Sequence, residues 1–89
     1  MPTLTAQPQV HPDAFATEVD SQAVILQYGT GTYYTLNEVG TRIWHLLEEK
    51  KSLQQILAIL QQEYSASEAQ LQQDLLVLVQ QLKEKELLV

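Results

Sequence analysis

Hydrophobic residues in the first half of the chain cluster in short β-type runs, and later they recur every three or four positions. Residues 23–28 (AVILQY) and 32–36 (TYYTL) are rich in β-branched and aromatic side chains, which favour strands. Residues 29–31 (GTG) supply glycines for a tight loop, so residues 23–36 are predicted to form a β-hairpin. Residues 14–19 (AFATEV) predict a further short strand ahead of it.

Three helices are predicted after the hairpin, each from a capping residue followed by an apolar stripe. Asn37 caps the first helix, and Ser52 starts the second with a capping box. Ser65 or Ser67 caps the third helix, which is predicted to end near Lys85. The apolar stripes consist of Val39, Ile43, Leu46 and Leu47, then Leu53, Ile56, Leu57, Leu60 and Tyr64, then Leu71, Leu75, Leu78, Val79 and Leu82.

The order of these elements predicts an α+β fold in which a three-stranded antiparallel sheet precedes three helices. The second and third helices are joined by a few residues, which makes a winged helix-turn-helix with the hairpin as the wing. Residues 1–13 contain all three prolines and little to bury, so we expect a flexible N-terminal arm. Residues 14–89 then form one domain.

The charge balance weighs against nucleic acid as a partner. The chain has 5 basic against 11 acidic residues and a formal net charge of −6, whereas phosphate backbones require basic contacts. The third helix, which would read DNA, has no Arg or Lys before Lys83. A transcriptional or protein-interaction module of winged helix-turn-helix type is kept as the alternative hypothesis, because the predicted fold is one that such modules use.

Catalytic, metal-binding and membrane functions find no support in the residue pattern. The chain has no cysteine, and its two histidines, His11 and His45, have no carboxylate at a spacing typical of acid–base or metal motifs. We therefore expect no enzyme activity, cofactor or metal. Residues 1–14 lack the features of a signal peptide, and the apolar runs are far too short to span a bilayer, so we expect a soluble cytoplasmic protein.

The last predicted strand has an open edge with unused hydrogen-bonding groups. Along it Tyr33 and Thr35 share one face, and Tyr34 shares the other with Leu36. Two apolar residues of the third helix, Leu76 and Val77, lie outside its stripe. Either these residues pack under the arm, or the helix and the edge form a groove that accepts an extended peptide by β-augmentation. The open edge also allows a dimer, although we expect mostly monomer in dilute solution.

Taken together, the motifs resemble the PqqD-like family, the coenzyme PQQ synthesis protein D group. The similar segments cover about residues 15–89 and are AVIL (23–26), GTYYTLN (31–37), GxxIWxLL (40–47), SLxxI (52–56), Tyr64, residues 74–82 and LLV (87–89). The tyrosine–leucine–asparagine run followed by isoleucine–tryptophan is the most specific of them. Glu86 departs from the pattern, because family members often have glycine before the final apolar pair.

The resemblance implies a recognition element for ribosomally synthesised, post-translationally modified peptides. Such a protein is not an enzyme. It binds the leader of a precursor peptide and presents it to a separate enzyme, a radical SAM enzyme in PQQ synthesis or a leader peptidase in lasso-peptide pathways. Carried over by position, the resemblance assigns the edge strand to Tyr33, Tyr34 and Thr35 and the helix wall to Leu71, Asp74, Leu75 and Leu78.

Overall fold

Three strands come first in the structure and three helices follow. The computed structural model describes Leu4 and residues 6–89. Its elements are β1 (Ala14–Val19), β2 (Gln22–Gln27), β3 (Thr32–Leu36), α1 (Glu38–Glu48), α2 (Leu53–Glu63) and α3 (Glu68–Glu84). The strands form one antiparallel sheet in the order β1-β2-β3. The predicted α+β fold is confirmed, including its first strand.

Residues in the left-handed backbone conformation close both hairpins. Asp20 and Ser21, with φ of 52° and 66°, connect β1 to β2 in a two-residue loop between Val19 and Gln22. Short polar side chains tolerate this conformation better than branched ones do. In the second loop Gly31 has φ of 74°, the region in which a glycine carries no steric cost. The glycine-containing loop therefore closes the hairpin as predicted.

Side chains at the predicted capping positions start all three helices. The Asn37 side chain accepts the Gly40 amide at 2.8 Å. At α2 the Ser52 hydroxyl accepts the Gln55 amide, and the Gln55 side chain accepts the Ser52 amide at 2.9 Å, which completes the capping box. Of the two serines predicted for α3, Ser67 is the cap. Each cap satisfies backbone amides that have no partner inside the helix.

The core lies between the inner face of the sheet and the apolar faces of the helices. Trp44 of α1 is its largest side chain and is fully buried. Burying a large apolar side chain contributes about 1.5–3 kcal/mol, so this cluster supplies most of the stability of so short a chain. The other large, fully buried side chains are Ile25, Leu36, Ile43, Leu46, Leu47, Leu53, Ile56, Leu60, Leu75, Leu82 and Leu87.

The described part of the N-terminal segment lies against α2 and the C-terminal tail. Carbonyls of Leu4 and Ala6 accept the first amides of α2 at 2.8 and 3.0 Å, and Pro8 is buried. Val10 forms an antiparallel bridge with Leu88. The sequence analysis did not anticipate these contacts. They concern position and not motion, so the flexibility of an arm over residues 1–13 stays a prediction, and residues 1–3 and 5 lie outside the described part.

The end of α3 places Glu86 in a backbone conformation that glycine usually takes. Glu86 adopts φ of 59°, directly after the last turn of the helix. The Leu87 amide donates to the Leu82 carbonyl at 2.9 Å, and the Glu86 amide donates to the Lys83 carbonyl at 3.0 Å. These two bonds define a Schellman motif, in which the left-handed residue is usually glycine. The tail therefore keeps this geometry with a strained glutamate.

Glu86→Gly should stabilise the protein by about 1 kcal/mol, since it removes the cost of a left-handed non-glycine residue. For a domain of this size that gain corresponds to a rise in Tm of about 4–8 °C, measured by circular dichroism. The matched control is Glu84→Gly within the helix, which should lower Tm. A Glu86→Gly variant less stable than wild type would contradict this account of the tail.

Candidate functional site

β3 forms one free edge of the sheet. In an antiparallel sheet each residue directs its N–H and C=O toward one neighbouring strand, and successive residues alternate sides. Just beyond β2, the Tyr28 amide donates to the Asp13 carbonyl at 2.9 Å, so the even-numbered residues of β2 face β1. The odd-numbered residues Ala23, Ile25 and Gln27 therefore face β3. The Gln27 carbonyl confirms this direction by accepting the Gly31 amide at 2.8 Å.

The register of β2 with β3 then determines which backbone groups of β3 stay unpaired. Thr32, Tyr34 and Leu36 lie opposite the three odd-numbered residues of β2 and bond to them. The intervening residues, Tyr33 and Thr35, direct both their N–H and their C=O groups to the free edge. This edge therefore offers donors and acceptors at the spacing that an added strand requires.

A groove of about 480 Å³ lies beside this edge, between β3, α1 and α3. It is lined by Tyr34, Thr35, Leu36, Asn37, Val39, Gly40, Ile43, Tyr64, Ala66, Leu71, Asp74 and Leu78. Most of these side chains are apolar, with a few polar groups among them, which is the usual composition of a ligand site. The side chain of Thr35 belongs to the exposed outer face of the sheet, so its edge backbone is the part that borders the groove.

The groove exists because α3 packs against α2 and stays apart from β3. Tyr34 bridges the gap at one end, where its hydroxyl donates to Oε1 of Gln81 at 2.7 Å. Towards the other end Gly40 allows α1 to lie close to β3. A Cβ at that position would stand 3.2 Å from Cδ2 of Leu36, which is tighter than ordinary van der Waals contact. The absence of a side chain on Gly40 thus helps to shape the floor.

The charged group of the groove is Asp74. None of the twelve lining residues is cationic, and Asp74 uses Oδ1 to accept a hydrogen bond from Gln70 at 2.9 Å. Burial, together with the nearby carboxylates of Glu38 and Glu63, raises the pKa of Tyr64 above its ordinary value. That ordinary value already lies well above neutrality, so the hydroxyl is protonated and can act as a donor. The site therefore favours apolar ligand groups combined with a cation near Asp74.

Arg42 of α1 and Glu63 of α2 form a two-pronged ion pair next to Tyr64. The two hydrogen bonds measure 2.8 and 2.9 Å. The hydrogen bond from Arg42 lowers the pKa of the Glu63 carboxyl, and the same bond raises the pKa of Arg42. Both side chains are about one-third exposed, so the pair fixes geometry between the helices more than it adds stability.

The structure brings together five of the seven predicted site residues. Tyr34 and Thr35 from β3 and Leu71, Asp74 and Leu78 from α3 all line the groove. Tyr33 contributes edge backbone, but its side chain is 68% exposed on the outer face of the sheet. Leu75 is fully buried in the core behind the wall and does not line the groove.

The two apolar residues outside the stripe of α3 do not build the groove. Leu76 is half-buried against the core, and Val77 is 41% exposed. Neither of them lines the cavity beside β3. Its apolar wall comes instead from Leu71 and Leu78, which belong to the predicted stripe.

Sequence reasoning missed the side of the groove that α1 and the α2–α3 connection provide. Val39, Gly40 and Ile43 come from α1, and Tyr64 and Ala66 from the connection. For two of these residues the sequence did hold a signal, which was their position at the end of an apolar stripe. Val39 begins the stripe of α1, and Tyr64 ends the stripe of α2. That signal places a residue at the margin of the core but does not distinguish a packed margin from an open one.

The described residues hold no group of three or more His, Cys, Asp or Glu side chains that could bind a metal ion. Nor does any helix in this part of the chain have the length and apolar character needed to cross a bilayer. His45 contacts Glu18 at 2.8 Å on the surface, away from the groove. His45 and Glu18 therefore do not take part in the groove beside β3.

Comparisons with known proteins agree with this geometry. The profile of the family described as Coenzyme PQQ synthesis protein D (PqqD) matches residues 22–88. Among solved structures, TbiB1 in complex with the TbiA(beta) leader peptide superposes with a TM-score of 0.85 at 36% sequence identity, covering 90% of this chain and 93% of that one. Lasso peptide synthetase B1 complexed with the leader peptide has a TM-score of 0.84 at 25% identity, covering 94% and 99%. No curated protein sequence matches the chain.

Glu63→Gln should lower Tm slightly at pH 7, by a few degrees at most, because it breaks the pair with Arg42. Since the folded pKa of Glu63 is lowered, the pair contributes above the ordinary glutamate pKa and loses its contribution as pH falls through the folded value. The difference in Tm between variant and wild type should therefore vanish in acid. Glu48→Gln is the control on the surface of α1, and an equal effect at pH 7 would contradict a role for the pair.

Proposed function

This chain belongs to the coenzyme PQQ synthesis protein D family, and we propose that it captures the leader of a ribosomally synthesised precursor peptide by strand addition. It then presents the precursor to a separate modifying enzyme. The observation that carries this proposal is the unpaired edge of β3 beside an apolar groove with one carboxylate. The two similar solved structures, both complexes with leader peptides, support it.

The leader adds as a strand beside β3. Its backbone pairs with the outward N–H and C=O groups of Tyr33 and Thr35, which supplies affinity with little demand on sequence. Every second leader side chain then points into the groove, where apolar groups contact Leu71 and Leu78. A basic leader residue pairs with Asp74, the carboxylate that lines the groove.

The proposed role is binding without catalysis, in the cytoplasm. The lining of the groove offers no nucleophile paired with a base, and the Tyr64 hydroxyl, like that of an ordinary tyrosine, is protonated at neutral pH. Chemistry therefore belongs to the partner, a leader peptidase in a lasso-peptide pathway or a radical SAM enzyme in a PQQ pathway. The lasso-type partner has the closer support, since one of the similar structures is described as lasso peptide synthetase B1 complexed with the leader peptide.

Thr35→Pro should weaken binding of the cognate leader by about tenfold or more. The substitution removes an outward-facing amide and places a proline ring where the added strand would lie. Isothermal titration calorimetry with the leader peptide measures the effect, after circular dichroism has shown that the variant is folded.

Ala16→Pro provides the matched control on the opposite edge of the sheet. Ala16 also directs its amide away from β2, because Phe15 and Thr17 pair with even-numbered residues of that strand. This variant should bind the leader within a few-fold of wild type, as should His45→Ala. If a folded Thr35→Pro protein binds as tightly as wild type, strand addition at β3 is wrong. If Ala16→Pro removes binding instead, the leader uses the edge of β1.

A further inference from the structure

A second stripe of α3, which shares only Leu71 and Leu78 with its apolar stripe, faces β3 and carries opposite charges near its two ends. The stripe comprises Leu71, Asp74, Leu78 and Gln81 of α3 together with its C-cap Lys85, and the spacings of three and four residues keep them on one side of the helix. The first three line the groove. The last two contact Tyr34, which is the inward-facing residue at the centre of β3.

Tyr34 holds the positive end of the stripe in place. Its hydroxyl donates to Gln81 at 2.7 Å, and Nζ of Lys85 lies 5.8 Å from the centre of its ring. An ammonium at this distance is attracted by the electron-rich face of the aromatic ring. The cation is therefore kept beside the groove, although Lys85 itself is exposed and able to meet a ligand.

The negative end lies at Asp74, on the part of α3 that faces the end of β3. Its Oδ1 accepts a hydrogen bond from Gln70, while among the described residues Oδ2 has no side-chain partner. Lys85 follows Asp74 by eleven positions, which is roughly 16 Å along a helix. The side chain of Lys85 lies over the ring of Tyr34, at the centre of β3.

β3 and α3 run in opposite directions, so the order of the two charges along α3 determines which charges the two ends of a bound peptide meet. The β2–β3 loop lies near the C-terminal end of α3, since the Gln27 side chain donates to the Glu86 carbonyl at 3.2 Å. A peptide that continues the antiparallel sheet enters with its N-terminal part near Asp74 and leaves near Lys85.

We propose that Asp74 and Lys85 select the charge order of the bound leader, accepting a basic residue first and an acidic residue four positions later, with an apolar residue midway. This inference rests on the proposed strand addition. Leader side chains that face α3 recur every two residues, about 6.8 Å apart, so four positions span about 14 Å. The long side chains of lysine and glutamate cover the remaining distance. The apolar residue between them meets Leu78.

Two synthetic peptides of identical composition test the charge order. One carries Lys-Thr-Leu-Thr-Glu between short threonine–valine flanks, and the other carries Glu-Thr-Leu-Thr-Lys in the same flanks. Because both peptides have the same net charge, the overall charge of −6 on the protein does not separate them. Titrations followed by NMR should show the lysine-first peptide binding about tenfold more tightly, and the preference should shrink at 1 M salt.

The double reversal Asp74→Lys/Lys85→Glu should invert the preference without altering the net charge. The matched control, Lys83→Glu/Glu84→Lys, exchanges charges outside the stripe and should keep the preference of wild type. Equal binding of both peptides to wild type and to the reversed protein would overturn the inference, as would no binding of either at millimolar concentration. Strand addition itself is tested separately by the Thr35→Pro comparison with the cognate leader, so the two claims fail independently.

Discussion

The unpaired edge of β3 is the constraint on which the site depends. A sheet of three strands ends there, and α3 packs against α2 and leaves the edge uncovered. Backbone groups of Tyr33 and Thr35 therefore face a groove and not a neighbouring element. Exposed edges of this kind invite pairing with another chain, and a specific groove restricts which chain pairs.

Other features of the fold keep this edge at a defined distance from α3. The N-caps set where the three helices begin and the Schellman turn sets where α3 ends, and Tyr34 with Gln81 limits how far β3 and α3 separate at one end. At the opposite end Gly40 lets α1 approach Leu36. Stability and binding thus use different atoms of the same strand, since β3 bonds inward through one set of residues and outward through the alternate set.

The fold could be read from the sequence because its signals are local. Asn37, Ser52 and Ser67 cap helices through bonds to residues three positions away, and the apolar stripes follow directly from helical geometry. The site could be read only in part. Leu71 and Leu75 are equivalent in the pattern, yet one borders the groove and the other is core, because that difference depends on how far α3 stands from β3. The contacts of Leu4, Ala6 and Val10 join distant parts of the chain and leave no periodic signal.

Hydrogen exchange of individual backbone amides, measured by NMR with and without the cognate leader, tests strand addition at β3 most directly. The account predicts that the amides of Tyr33 and Thr35, which face the free edge, become strongly protected when the leader binds. The amide of Ala16, which faces outward on the opposite edge, should exchange at an unchanged rate. Protection at Ala16 with none at Thr35, or binding without protection at either edge, would contradict the account.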